Sequence, residues 1–306
     1  MAEQPRISVI IPHLNEPDDL RKCLAALGSQ ASDKAVEIIV VDNGSKQMPE
    51  FATALVPGLT LLRELSPGPG PARNKGAAAA KAPLLAFIDA DCVAAPGWLA
   101  AIERCFDERR DIDFAGGDIR ILPANPERLT AVEAYESVYS YRTQDYAERL
   151  GFAATGNMAV RAATFRAVGP FGGIKMMEDT EWGQRASALG HKIAYIPEAR
   201  VLTPSCRSFA ELARRWDRHV AHEFVEQKGR PLWLMRWLAK SVIIAASPAG
   251  ELMRILGSDR VVSWGERWLA LITVTRVRIY RSRLMVSLAW RDNAEKMVDM
   301  WNRGNR

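Results

Sequence analysis

Two acidic pairs carry the chemistry for which this sequence can be read. The first, Asp89-Ala90-Asp91, closes the apolar run Leu84-Leu85-Ala86-Phe87-Ile88. A run this short and this apolar predicts a strand buried on both faces inside a parallel sheet. Open parallel sheets bind ligands beyond the carboxyl ends of their strands. Two carboxylates placed there are hard oxygen ligands, suited to Mg²⁺ or Mn²⁺ held against a phosphate. The same pair equally fits a solvated turn, so its neighbours must decide. The second pair, Glu178-Asp179, opens a stretch in which Trp182, Ala186 and Leu189 share a helical face and Gly190 ends the run. Acids at a helix N-terminus are stabilised by the helix dipole whatever else they do.

The elements that must position these pairs read as alternating strands and helices. Ile7 to Ile11 is a strand candidate stopped by Pro12. Asn15 and Glu16 stand at the cap of a helix with Pro17 early, acids in its first turn, and Leu20, Cys23, Leu24 and Leu27 at helical spacing. Ile38 to Val41 is a second strand, closed by the turn residues Asp42-Asn43-Gly44-Ser45, which completes a βαβ unit. A third strand is expected over 59–62 and a helix over 74–82. The loop 66–74 is rich in glycine but is neither a dinucleotide fingerprint nor a Walker A loop. Its three prolines remove the N–H groups such loops offer to phosphate; Arg73 could still reach an anion by a bidentate contact. Further on, strands are expected over 114–117, 119–122, 155–160, 193–196 and 199–202. One helix is expected over 133–149, carrying Tyr135, Tyr139, Tyr141 and Tyr146.

The last third has a different texture. From Phe209 onward the excess of basic over acidic residues is larger than the net +5 of the whole 306-residue chain. Trp233, Trp237, Trp264, Trp268, Trp290 and Trp301 recur there beside arginines, and helices with long apolar faces are expected over 233–246 and 264–280. Tryptophan and arginine flanking such faces suit a helix lying in a membrane interface; a helical cap on a catalytic domain is the competing account. No stretch reaches 18 uninterrupted apolar residues, which argues against a membrane span, and the start of the chain lacks the pattern of a signal peptide. Four scattered cysteines without metal-ligand spacing fit free thiols in a reducing cytoplasm. Hydrophobic and charged fractions of 48% and 25% exclude extended disorder.

Taken in order, Pro-His-Leu-Asn-Glu, Val-Val-Asp-Asn-Gly-Ser, Ala-Arg-Asn-Lys-Gly, Phe-Ile-Asp-Ala-Asp, Thr-Gly-Asn-Met-Ala-Val-Arg and Glu-Asp-Thr-Glu-Trp-Gly resemble the family-two inverting glycosyltransferases with the GT-A fold, over roughly residues 6 to 204. The resemblance implies an α/β fold, a Rossmann-like mixed sheet flanked by helices, with a catalytic domain over 1–205 and a basic, tryptophan-rich helical appendage over 206–306. It implies that Asp42 contacts the nucleotide base and that Pro12, Asn15 and Glu16 frame the nucleoside. Arg73 and Asn74 would line the donor site, Asp89 would lie nearer the ribose or sugar, and Asp91 would be the ligand of a Mn²⁺ or Mg²⁺ ion. Asp179 would be the catalytic base, with Glu178, Trp182 and Asn157 as candidates on the acceptor side or behind it. The expected partners are a nucleotide-diphosphate sugar, a UDP-sugar first, and a lipid-linked or other saccharide acceptor in cell-surface polysaccharide assembly. The expected place is the cytoplasm, peripheral on the inner membrane; no nucleic-acid partner is expected, because the bases interleave with an apolar face. A non-catalytic nucleotide-binding or membrane scaffold protein on the same fold is the alternative. One departure stands out. Relatives often carry a histidine just after the last core strand, where this chain reads Val201-Leu202-Thr203-Pro204. Thr203 with water, or His219 or His222, would have to complete the metal shell.

Overall fold

The structure is a computed structural model that describes residues 4–30, 35–125, 127–173 and 177–291. Trp301, counted above with the tail tryptophans, and Met176, just ahead of the second acidic pair, lie outside the described residues. In chain order the elements are β1 (Ile7–His13), α1 (Pro17–Gly28), β2 (Val36–Asp42), α2 (Phe51–Leu55), β3 (Thr60–Arg63), α3 (Pro69–Ala79), β4 (Leu84–Ile88), β5 (Val93–Ala94), α4 (Trp98–Glu108), β6 (Phe114–Leu122), α5 (Ala131–Tyr139), α6 (Thr143–Leu150), β7 (Asn157–Arg161), α7 (Ala162–Val168), α8 (Glu178–Ala188), β8 (Ile193–Pro204), α9 (Phe209–Gln227), α10 (Trp233–Ala246), α11 (Pro248–Leu256) and α12 (Trp264–Arg291).

The strands form one eight-stranded sheet in the order β3-β2-β1-β4-β7-β6-β8-β5. The first four neighbours are parallel, whereas β7 runs antiparallel to both β4 and β6. The continuous apolar runs of β1, β2 and β4 are what a strand covered on both faces requires, and all five residues of β4 are buried. The order runs 3-2-1 and then 4, so the direction of winding reverses between β1 and β4, and their carboxyl ends flank the switch point where this class of sheet leaves room for a ligand.

Several boundaries differ from the expectations for identifiable reasons. Pro12 does not stop β1; it pairs opposite Val41 and the strand continues to His13. Helix α3 begins at Pro69, five residues earlier than expected, because prolines in a first turn give up N–H groups that have no intrahelical partner anyway. The expected helix over 133–149 is two helices, broken at Ser140 and at Tyr141, whose φ is +49°. The pairs of short strands expected over 114–122 and 193–202 are the single strands β6 and β8, with a register shift at Gly117/Asp118 where they pair. Helix α12 runs to Arg291, well past 280.

The chain divides into two compact units: residues 1–122 with 141–204, and residues 123–140 with 205–306. Residues 123–140, ahead of the expected boundary at 205, therefore group with the C-terminal helices. In that second unit α5 starts with a capping box between Thr130 and Glu133. Its buried Glu136 accepts from Ser205 Oγ and Cys206 N, each at 2.7 Å, and from Arg215 at 2.6 Å. Tyr135, Leu212, Ile255 and Val274 share its core. Among the described residues no helix is long and apolar enough to cross a membrane. All four cysteines are free.

Candidate active site

The carboxyl ends of β1 and β2 are tied into one rigid corner. Asp42 is fully buried, and its Oδ2 accepts from the backbone of Gly44 and Ser45, each at 3.2 Å. His13 Nε2 accepts from Glu16 N at 3.3 Å, which puts the ring proton on Nδ1, facing Asp42 Oδ1 at 3.4 Å. Burial holds His13 below its ordinary pKa despite the neighbouring Asp42, so the ring is neutral. Asn15, in the left-handed region at φ +56°, accepts from Lys46 N at 2.9 Å and donates its own N–H to Ser45 Oγ at 2.8 Å. The loop carrying Asn15 and Glu16 is thereby locked to the turn after β2. His13 and Ser45 are parts of this corner that sequence reasoning missed; the position of His13 at a strand end, beside Asn15, was the available signal.

Arg73 is the hub that joins the two acidic pairs. It lies on α3, its side chain is 4% exposed, and it donates to Asp89 Oδ1 at 2.5 Å and to Glu178 Oε1 at 2.9 Å. Burial works against its charge, but Asp89 and Glu178 outweigh it and hold the guanidinium firmly protonated. A fork with donors in fixed directions suits bridging two carboxylates that lie far apart in sequence.

Asp91 has no such partner among the described residues. Its hydrogen bond is a weak one from Cys92 Sγ at 3.6 Å. Burial, and then the negative charge of Asp89, push its carboxyl up to about 6. Glu16 is raised as well, by partial burial and then by Asp91, Asp19 and Asp89. Asp89, Asp91 and Glu16 thus crowd one end of the sheet, with Asp19 of α1 near them, and among the described residues no cation pairs with Asp91. No group of three histidine, cysteine or acidic side chains able to hold a metal occurs among the described residues. The donor set nevertheless fits a Mg²⁺- or Mn²⁺-like ion, which takes one or two carboxylates and fills its shell with phosphate and water. At the position of the missing histidine, buried Thr203 stands on β8 beside Cys92. His219 and His222 belong to α9 of the second unit, where His219 packs against Trp216.

Glu178 and Asp179 open α8, as expected. Asp179 Oδ1 accepts from Thr180 N at 2.7 Å, and burial followed by Glu178 raises its pKa, against the lowering effects of Thr180 and Arg73. Its charge is felt by the half-buried Tyr146, which stacks on Phe152. Three other candidates are bonded into the frame. Asn74 clamps the backbone of Phe171 through both halves of its amide, at 3.0 and 2.8 Å. Asn157 is 2% exposed; it donates to Asp118 O and Ala199 O and accepts from Trp98 Nε1, holding β6, β7 and β8 together at the register shift. Trp182 is fully buried among Phe114, Phe165 and Phe171, with its Nε1–H on Gly169 O at 2.8 Å. These side chains point into the core because an amide or indole with every polar atom bonded can be buried at little cost.

Gly156, just before β7, leaves the space that Asp89 occupies: a Cβ there would lie 2.9 Å from Asp89 Oδ2. Gly156→Ala should therefore displace the Asp89 carboxylate from Arg73 and lower kcat/KM by up to about 10²-fold, as for other small misplacements of positioned groups. Steady-state kinetics together with an unchanged circular-dichroism melt would check this; a variant as active as the parent would mean that Asp89 is not held where it acts.

The comparisons with known proteins agree with this geometry. The profile described as Glycosyl transferase family 2 matches residues 8–169. Glycosyltransferase AglE of Haloferax volcanii is 32% identical over 220 residues, covering 69% of this chain and 70% of that protein. The pre-mycofactocin glycosyltransferase of Mycobacterium tuberculosis is 26% identical over 208 residues, 64% of this chain and 42% of its own length. Among solved structures, the mannosyltransferase PcManGT from Pyrobaculum calidifontis, in complex with GDP-Man and Mn²⁺, superposes with a TM-score of 0.58 at 17% identity, covering 95% of this chain and 88% of that one. GalNAc-T7 with UDP, GalNAc and Mn²⁺ gives 0.52 at 18% identity over 67% of this chain and 44% of that one. The mixed sheet has the GT-A architecture of these structures, and the chain belongs to glycosyl transferase family 2.

Proposed function

We propose that this glycosyltransferase moves a sugar from a nucleoside-diphosphate donor to an acceptor hydroxyl with inversion at the anomeric carbon. The observation that carries the reading is the pairing of Asp89/Asp91 with Glu178/Asp179 through one buried arginine. Departure of a diphosphate concentrates negative charge at one point, and a divalent ion bound there supplies the neutralising charge. Asp91, with Asp89 beside it, is the group that would hold such an ion. Asp42, Pro12, Asn15 and Glu16 form the corner against which the nucleoside would lie, and Asp89, fixed by Arg73, would face the ribose or sugar. Asp179, whose pKa burial raises from its ordinary value, suits a base that takes the acceptor proton as attack proceeds. A single base on the face opposite the leaving group gives inversion, by the stereochemical logic of glycoside hydrolysis. The PcManGT and GalNAc-T7 complexes hold Mn²⁺ with a nucleotide or nucleotide sugar, which supports a divalent metal and a nucleotide donor here.

The finer reading is a UDP-sugar donor and a lipid-linked saccharide acceptor in cell-surface polysaccharide assembly, with the enzyme peripheral on the cytoplasmic face of the inner membrane. A thermal-shift screen of nucleotide sugars with and without Mn²⁺ tests the donor, and proton NMR of the product anomer tests the stereochemistry. A metal-dependent rise in Tm with one base, UDP first, and an inverted anomer are expected. No shift with any donor, or a retained anomer, would overturn the assignment.

A further inference from the structure

Helix α10 has an apolar face that nothing among the described residues covers. Trp237, Ser241 and Ile244 turn inward, while Met235, Val242 and Ile243 share the outer side; Val242 and Ile243 are each 67% exposed. After Ser247 the chain turns into α11, where Glu251 and Ile255 point in and Leu252 and Met253 point out, Met253 at 77% exposure. The two helices therefore present one bent, apolar edge to solvent. Isolated exposed apolar side chains are ordinary, but a run of large ones along two consecutive helices marks a surface that meets something apolar.

The charges around this edge decide what that is. Between Lys228 and Arg260 there are six basic residues and two acidic ones. Glu251 is turned into the unit and bound by Arg254 and Arg278, and Lys240 is paired with Glu223 of α9, which leaves exposed Arg230 and Arg236 as the cations beside the edge. Two copies of this edge placed face to face would bring like charges together, whereas the headgroups of an anionic bilayer would neutralise them. On α12 of the same unit, Trp264 and Trp268, one turn apart, are 76% and 63% exposed, and indole rings favour the boundary between headgroup and acyl chain. With no spanning helix among the described residues, the fitting arrangement is a helix pair lying in the plane of the interface.

We propose that the α10–α11 elbow inserts its outer edge into the acyl boundary of an anionic bilayer, with the exposed Arg230 and Arg236 on the headgroups. This rests on the membrane placement proposed above and names the surface that would make it; the glycosyl transfer itself does not require that surface, so a loss of vesicle binding and a loss of donor response can be told apart. The test is flotation of the full chain with phosphatidylcholine vesicles and with vesicles containing phosphatidylglycerol, at low and high salt, beside the double variant Ile243→Asp/Met253→Asp. The parent should float with the anionic vesicles and keep a bound fraction at high salt, since apolar insertion is not screened. The double variant should bind at least about 10-fold more weakly, because both changes strip apolar area from the inserted edge. Its donor-induced thermal shift should match the parent's, showing that the fold and donor site are intact. A parent that stays at the bottom of the gradient, or a variant that floats as well as the parent, overturns the proposal. So does a parent that sedimentation equilibrium shows to be a dimer and the variant to be a monomer, which would give the edge to a second copy.

Discussion

Asp179→Asn should reduce turnover by about 10³-fold while leaving donor affinity nearly unchanged, the expected loss for removing a positioned general base. The amide keeps the shape of the carboxylate and its contact with Thr180, so α8 should start as before. What it removes is the ability to take a proton. The surroundings of Asp179 favour that proton transfer, since burial and Glu178 raise its pKa while Arg73 and Thr180 keep the rise in check. A base works only when deprotonated, so a raised pKa places the acid limb of the kcat/KM profile above the ordinary carboxylate value of 3.8. Arg73→Gln removes a cation that lowers Asp179, and the limb should move to higher pH. A purely structural role for Arg73 would depress the rate evenly across the pH range instead. Isothermal titration with the donor nucleotide and pH-resolved initial rates check both statements. If Asp179→Asn loses donor binding in step with turnover, or if the parent profile stays flat through the ordinary carboxylate range, the base is another group.

What the sequence could and could not reveal follows from the range of the interactions. Strands β1, β2 and β4 were legible because their burial on both faces leaves short, nearly continuous apolar runs, and those of β2 and β4 run straight into Asp42 and Asp89, whereas the end of β1 at His13 was hidden by Pro12. The two acidic pairs were legible for the same reason, standing at abrupt ends of apolar or helical patterns. The bond network was not. Arg73 meets Asp89 16 residues away and Glu178 105 residues away, and no local pattern marks an arginine that will face inward. Asn157 and Asn74 share this difficulty. Asn157 follows a glycine and reads as open to a ligand, and Asn74 stands in a motif expected to line the donor site, yet both amides bond groups on distant elements, Asn157 to Asp118, Ala199 and Trp98 and Asn74 to Phe171. The start of α3 is hard to place from sequence because its prolines read as loop formers, when their missing N–H groups are free of cost in a first turn. The split of α5 from α6 depends on Tyr141 adopting positive φ, a conformation that tyrosine rarely takes and sequence does not announce.

Asp91→Asn should abolish most of the activity and at the same time make the metal-free protein more stable. The two effects have one cause. An ionised Asp91 sits partly buried beside Asp89, and this environment pushes its carboxyl from 3.8 to about 6. A carboxyl whose pKa is raised by folding favours the protonated form in the native state. Its stabilising contribution is therefore greatest at low pH and is lost as pH rises from about 4 to about 6. In chelator at neutral pH the parent carries this penalty in full, whereas a neutral amide does not, and Asp91→Asn should gain on the order of 1 kcal/mol. Urea denaturation in EDTA should show that gain near pH 7, shrinking towards pH 4, where the parent's carboxyl is protonated. With Mn²⁺ and donor nucleotide present the order should reverse, because Asp91 is the group proposed to hold the ion and the amide gives it no charge. Turnover should fall by about 10²–10³-fold, the usual loss when a preorganised electrostatic partner of the reacting charge is removed. A variant less stable than the parent in EDTA would show that Asp91 is held by the fold for structural reasons. A variant that keeps the parent's Mn²⁺-dependent rise in Tm would place the ion elsewhere. The stability gain and the activity loss must appear together, since a site that crowds carboxylates without a matching cation is unfavourable for the fold and useful only to a ligand that brings positive charge.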